Sequence, residues 1–213
     1  MAKTKNSSGG AKAARELKKK TPLLDQLQPG EAALVLRRLL AGHPELLSEA
    51  EEISRSTLGG VSFESIASEV EDSIRQLDLD DLNGRAGGHS WGYTEPTEAA
   101  WELLEEAVEP FVEDMKRHLG LGLDEEAFEI CKGIVLGLYQ CRDASGDEFL
   151  GWASDFPAEA AGNAVTDWIG AGKEGASGSQ PGPNRVLLLR EFVDKHVPEW
   201  PWISKQVAGR KGQ

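Results

Sequence analysis

The most unusual chemistry of the chain lies in residues 84–93, where polar and aromatic side chains alternate with glycines. The segment reads G-R-A-G-G-H-S-W-G-Y and contains Arg85, His89, Trp91 and Tyr93. Glycines let a backbone approach a ligand closely, and guanidinium and aromatic groups hold anions or rings. We therefore expect either a ligand or peptide contact here, or a structural crossover whose Trp91 and Tyr93 fill the core.

Carboxylates on both sides of this segment raise a second hypothesis, an enzyme or small-ligand binder with a dispersed site. Asp80 and Asp81 precede the glycines and Glu95 follows them, so that Arg85 and His89 lie between acidic groups. The chain contains neither a G-x-S-x-G nucleophile elbow nor a G-x-x-x-x-G-K-[ST] phosphate-binding loop. Sequence motifs therefore assign no catalytic residue.

The sequence indicates no metal or cofactor site. Residues 78–83 are acidic, as in a calcium loop, but with Gly84 at the sixth position the first and twelfth ligands fall on Leu79 and Ser90. Cys131 and Cys141 are separated by about 15 Å if they share one helix, so they cannot form a disulfide. We interpret them as reduced core residues of a cytoplasmic protein.

The charge distribution restricts the class of partner. The formal net charge is −13, of which residues 1–20 contribute +6 and residues 205–213 contribute +3, so residues 21–204 carry −22. An acidic body repels phosphate backbones and attracts cationic partners. Any contact with nucleic acid is therefore expected only through the basic tails. The longest apolar runs are far shorter than the roughly 20 residues of a membrane-spanning helix.

Helices must position all of these residues, because apolar side chains recur at three- and four-residue intervals along most of the chain. Residues 78–93 lack this period and are predicted to form a long connector. Pro110 is expected to kink or split its helix, and the most apolar helix, 123–141, is expected at the centre of a bundle. The fold class is therefore all-α, with consecutive helical hairpins forming an irregular bundle or short solenoid. Helices are predicted over residues 31–41, 44–56, 62–77, 96–120, 123–141, 148–152, 158–169 and 186–196.

Composition divides the chain into a single helical domain over residues 21–204 and two disordered basic tails, 1–20 and 205–213. A flexible loop rich in Gly, Ser and Pro is predicted at 170–183. Residues 198–202 are expected to form an extended tail folded back on the body, in which Trp200 and Trp202 serve either as partner contacts or as core residues. Three further tryptophans are predicted to lie in the core: Trp101, Trp152 and Trp168.

One helical segment resembles the opening of a tetratricopeptide repeat. Trp101-x-x-Leu104 matches the start of that motif within residues 97–141, but Glu105, Val108 and Arg117 depart from its small, aromatic and alanine positions. This resemblance implies a single helical hairpin and no activity.

Residues 77–139 also resemble an uncharacterised bacterial family of helical proteins. That resemblance implies a bacterial, cytoplasmic setting and transfers no functional residue.

These observations favour a non-catalytic, acidic helical interaction or scaffold protein in the cytoplasm. The expected partner is a protein or peptide, preferably basic. Two alternatives remain open: an enzyme or small-ligand binder around residues 84–93, and weak nucleic-acid association through residues 1–20.

Overall fold

A computed structural model of the chain describes residues 23–90, 92–143, 147, 149–170 and 183–208. Within these ranges the fold is all-α, with nine α-helices and a single two-stranded sheet, which confirms the predicted fold class. The chain divides into two compact units at Leu58 and Gly59. The single domain predicted over 21–204 stays a prediction. The predicted tail 1–20 and residues 209–213 of the predicted tail 205–213 lie outside the described residues.

The first unit contains two amphipathic helices, α1 (Pro29–Gly42) and α2 (Leu47–Leu58). A 3₁₀ turn, Pro44–Leu46, joins them, and a second 3₁₀ turn, Leu24–Gln26, precedes them. Both helices contact the joining turn, but neither packs along the other among the described residues. The helical hairpin expected from the predicted helices 31–41 and 44–56 is therefore not packed, because the two helices share only the joining turn. No residue between Leu23 and Leu58 is buried.

The second unit contains seven helices and the short sheet. Its core is continuous from α3 to the C-terminal helix. The described elements are α3 (Phe63–Arg75), α4 (Leu79–Arg85), β1 (Gly87–His89), β2 (Gly92–Thr94), α5 (Pro96–Gly120), α6 (Asp124–Gln140), a 3₁₀ turn (Leu150–Trp152), α7 (Phe156–Gly170), α8 (Pro183–His196) and α9 (Pro201–Ala208).

Helix α6 lies at the centre of this unit, as its apolar composition predicts. It packs against α3, α5, α7 and α8, and its two cysteines, Cys131 and Cys141, are buried and free. Burial raises the pKa of both thiols, that of Cys141 to about 12. Two glycines let α3 cross α6 closely: a methyl group on Gly133 would lie 2.5 Å from Ile66 Cβ, and one on Gly137 would lie 2.6 Å from the Ala67 carbonyl oxygen.

The predicted connector over residues 78–93 is wrong, because this stretch contains helix α4 and the β1–β2 hairpin. The Asp78 carboxylate accepts hydrogen bonds from the backbone N–H groups of Asp80 and Asp81, which starts the helix. Gly87 and Gly92 have positive φ angles of 101° and 148°, and these conformations shape the hairpin. Glycines and a seven-residue helix leave too few apolar residues to show a period.

Helix α5 passes through Pro110 without being split. Proline inside a helix costs about 3 kcal/mol, and packing on both sides of it offsets that cost. Leu104 and Val108 before the proline, and Met115 after it, are all buried.

The structure also differs from the predictions for the C-terminal residues. Residues 201–208 form helix α9 rather than an extended tail, so Lys205 is helical and not part of a disordered tail. Trp168 is buried and Trp101 packs on the core, as predicted, but Trp152 is 46% exposed. Leu150 takes the inward position of that short 3₁₀ turn, which turns Trp152 outward. Most of the predicted 170–183 loop, residues 171–182, lies outside the described residues.

Candidate functional site

A groove of about 370 Å³ runs between helices α5 and α7 of the second unit. Residues 101–116 of α5 form one side, which corresponds to about 22 Å of helix. Residues 156–167 of α7 form the other side, with lining residues at steps of four, three, one and three. The groove can therefore accept an elongated ligand about four helical turns long.

Apolar and aromatic side chains form the floor of the groove. Trp101 and Phe156 meet edge to face, with ring centroids 5.1 Å apart and planes at 77°. Val108 and Ala164 are buried beside them, and Val112 is half-buried. Such a floor can take up the apolar face of a partner.

Carboxylates form the rim. Five glutamates of α5 line the groove because they recur at steps of three, one, three and four residues and so share one helix face. Asp167 adds a sixth carboxylate from α7. The glutamates are Glu102, Glu105, Glu106, Glu109 and Glu113.

Towards each end of this rim, a cation of the protein itself pairs with two carboxylates. Arg85, from α4, makes two hydrogen bonds to Glu106, at 2.6 and 2.9 Å, and one to Glu102 at 3.3 Å. The hydrogen bond from Arg85 lowers the pKa of Glu106. At the other end Lys116 Nζ lies 3.2 Å from carboxylate oxygens of both Glu113 and Asp167.

The Lys116 contacts also affect its protonation. Partial burial acts to lower the pKa of Lys116, but its hydrogen bonds to Glu113 and Asp167 together outweigh burial, and the pKa is raised. Lys116 therefore stays a cation beside Glu113 and Asp167 at one end of the groove.

Two carboxylates of the rim have no such partner. Glu105 and Glu109 are exposed and line the groove, and no cation among the described residues pairs with either one. Two unpaired carboxylates above an aromatic and aliphatic floor make this the most distinctive surface of the second unit. Its geometry fits a ligand that carries both positive charge and apolar surface.

The residues that the sequence singled out at 84–93 lie in different settings. Arg85 binds the carboxylates of α5, beside the groove but not among its lining residues. Tyr93 lies on β2 and is 65% exposed, so it does not fill the core. The backbone of His89 pairs with Gly92, while the His89 side chain and the whole of Trp91 lie outside what the structure describes.

The carboxylates proposed for a dispersed enzyme site have local structural contacts. The Asp81 side chain accepts the backbone N–H of Asp78 at 3.0 Å, which completes the capping box of α4. Asp80 and Glu95 are exposed, and Glu95 precedes the first turn of α5. Asp81 and Arg85 thus serve the start of α4 and its contact with α5.

The two C-terminal tryptophans differ in their roles. Trp200 is buried and meets Tyr139 edge to face at 5.2 Å, while Arg142 binds Glu199 through bonds of 2.9 and 3.0 Å. Trp202 is 38% exposed and covers Gly162, where an added methyl group would lie 2.8 Å from its ring. Both tryptophans anchor the α9 region to the helical unit.

The glutamates of α5 that form the rim were not among the site residues predicted from the sequence. The signal for the rim was nevertheless present, since these glutamates recur at the same period as the apolar stripe. The facing helix was not predictable, because residues 156–167 lie about fifty positions later in the chain.

In the described ranges, no group of three or more His, Cys, Asp and Glu side chains is arranged to hold a metal ion. No helix in that part of the chain is long and apolar enough to cross a bilayer. Comparisons with protein-family models, with curated proteins and with solved structures find no match to this chain.

Proposed function

We propose that this protein is a non-catalytic interaction protein whose α5–α7 groove binds a basic, amphipathic segment of a partner protein. The observation that supports this proposal is the pair of unpaired carboxylates, Glu105 and Glu109, above the floor of Trp101 and Phe156. Lysine or arginine side chains of the partner bind the carboxylates, and its apolar side chains pack on the floor.

The two cations that already bind the rim carboxylates support a basic partner. Arg85 and Lys116 each bind two carboxylates of the rim, so the rim already accommodates both guanidinium and ammonium groups. A bound helix of about 15 residues has the length of the α5 side of the groove. We place the protein in the cytoplasm, since its two buried cysteines are free and fit a reducing compartment.

A titration with a designed peptide tests the proposal. The probe is a helical peptide of about 15 residues, with leucines at i, i+3, i+4 and i+7 and lysines flanking them. We expect calorimetry to show binding that weakens as salt rises, because exposed charges are screened. A peptide with the same leucines and glutamate in place of lysine is expected not to bind.

Matched variants locate the binding site. The double variant E105Q/E109Q is expected to weaken binding about 2- to 30-fold, from two exposed charge pairs of roughly 0.2–1 kcal/mol each. E98Q/E191Q removes the same charge from exposed positions outside the groove lining and is expected to leave affinity unchanged. Equal affinity for wild type and E105Q/E109Q, or no binding at low salt, would contradict the proposal.

No contact among the described residues favours either alternative. An enzyme or small-ligand binder around residues 84–93, and weak nucleic-acid association through residues 1–20, therefore stay predictions.

A further inference from the structure

The first unit presents apolar surface that its own described residues do not bury. Helices α1 and α2 are 14 and 12 residues long, and helices of this length are marginal in water without packing partners. Yet every residue from Leu23 to Leu58 is at least partly exposed. Eight large apolar side chains of this segment are 42–73% exposed: Leu23, Leu24, Leu34, Val35, Leu36, Leu39, Leu47 and Ile53.

Most of these side chains form one stripe on each helix. At 100° per residue, Val35, Leu36, Leu39 and Leu40 share one face of α1, and Leu34 lies on the opposite face. On α2, Leu47, Ala50, Ile53 and Leu58 share a face in the same way. The two stripes do not cover each other, because α1 and α2 do not pack along each other.

Opposite charges flank the two stripes. Arg37 and Arg38 flank the α1 stripe, and Glu49 and Glu51 flank the α2 stripe. Glu31 on α1 and Arg55 on α2 lie near the same edges, so the flanking charge is net positive on α1 and net negative on α2. No residue among those described forms an ion pair with any of these charges. Each helix therefore offers the apolar face and the charges that the other helix requires.

We propose that the 23–58 segment is a dimerisation arm, in which α1 of one copy packs against α2 of a second copy and the reverse. Because α1 and α2 are complementary but do not pack on each other within one chain, α1 of one copy can pack on α2 of an identical copy. The two contacts are then related by two-fold symmetry. Two arms supply four amphipathic helices, the number of a four-helix bundle. The Leu and Ile stripes form its core, and the Arg and Glu edges fix which helices pair.

The mass in solution tests the proposal. At roughly 100 µM protein, which populates any dimer with a micromolar Kd, we expect sedimentation equilibrium to give about twice the chain mass of 23.1 kDa. Leu36→Glu is expected to raise the dimer Kd at least about 100-fold, because each dimer carries the change twice. Leu34→Glu is the matched control, since both leucines are 49% exposed but lie on opposite faces of α1.

A charge exchange between two variants identifies the pairing. R37E/R38E makes both helices acidic and E49R/E51R makes both basic, so each variant alone repels its own copy across both contacts. An equimolar mixture restores opposite charges at each contact, and native mass spectrometry is expected to show the mixed dimer in excess over either homodimer. A wild-type monomer at this concentration, equal effects of the Leu34 and Leu36 changes, or no preference for the mixed dimer would overturn the proposal.

Discussion

Leu39 in α1 and Leu104 in α5 both belong to the apolar stripe of an amphipathic helix, but their surroundings differ completely. Leu104 is fully buried in the core of the second unit, whereas Leu39 is 47% exposed in the first. Both stripes satisfy the same helical period. The difference shows that an apolar stripe specifies a helix and a face that favours contact, while neighbouring elements decide whether that face is covered within the chain.

The largest expected effect is a difference in the free energy of unfolding between alanine variants of these two leucines. Leu104→Ala is expected to lower the free energy of unfolding by about 2–5 kcal/mol, because it removes buried methyl groups and leaves a cavity. Leu39→Ala is expected to change it by less than about 0.5 kcal/mol at protein concentrations too low for association. Urea denaturation monitored by circular dichroism measures both. A comparable loss for Leu39→Ala in dilute protein would mean that the chain itself covers the α1 stripe.

A smaller effect contrasts a close helix crossing with an open helix surface. Gly137→Ala is expected to cost about 1–3 kcal/mol, because the new methyl group would meet the Ala67 carbonyl oxygen of α3 at 2.6 Å. Gly84→Ala is the control, since a methyl group on that α4 residue meets no atom within 4 Å. It is expected to be neutral or to stabilise by up to about 1 kcal/mol. Stabilisation by Gly137→Ala in the same urea experiment would show that α3 and α6 separate readily.

The smallest effect concerns the rim of the groove and its dependence on pH. Because the hydrogen bond from Arg85 lowers the pKa of Glu106 below the ordinary 4.5, the unfolded state binds more protons between the two pKa values. The contact therefore contributes fully at neutral pH and is lost as the pH falls below 4.5 through the pKa of the folded state.

Carboxyl chemical shifts recorded by NMR across pH 2–7 test this dependence. In Arg85→Ala the midpoint of Glu106 is expected to rise towards 4.5. Arg142→Ala removes a different carboxylate-bound arginine, which binds Glu199, and is expected to leave Glu106 unchanged. An unaltered Glu106 midpoint in Arg85→Ala would show that the two side chains do not pair in solution.

Much of the second unit was predictable because its signals are local. The stripe of α5, the apolar faces of α6 and the boundaries set by Pro96 and Gly120 all follow from spacing within single helices. The prediction failed at residues 78–93, where a seven-residue helix and a glycine-rich hairpin carry too few apolar residues to show a period.

The α5–α7 groove was not predicted from the sequence, which placed the candidate site at residues 84–93. Arg85 was singled out for its glycine-rich neighbours, but its partners Glu102 and Glu106 lie 17 and 21 positions later. No local pattern encodes which carboxylate meets which guanidinium. The exposure of Tyr93 and Trp152 was equally unpredictable, because it depends on which residues of a short element face the core.

The sequence by itself determined an all-α chain, a central helix predicted over residues 123–141 and an acidic body between basic ends, since periodicity and charge are properties of neighbouring residues. Only the tertiary structure decided that α5 and α7 enclose a carboxylate-rimmed groove and that α1 and α2 remain uncovered. Those outcomes depend on contacts between distant segments, such as Lys116 with Asp167. Packing over the whole chain selects such contacts, and no single helix specifies them.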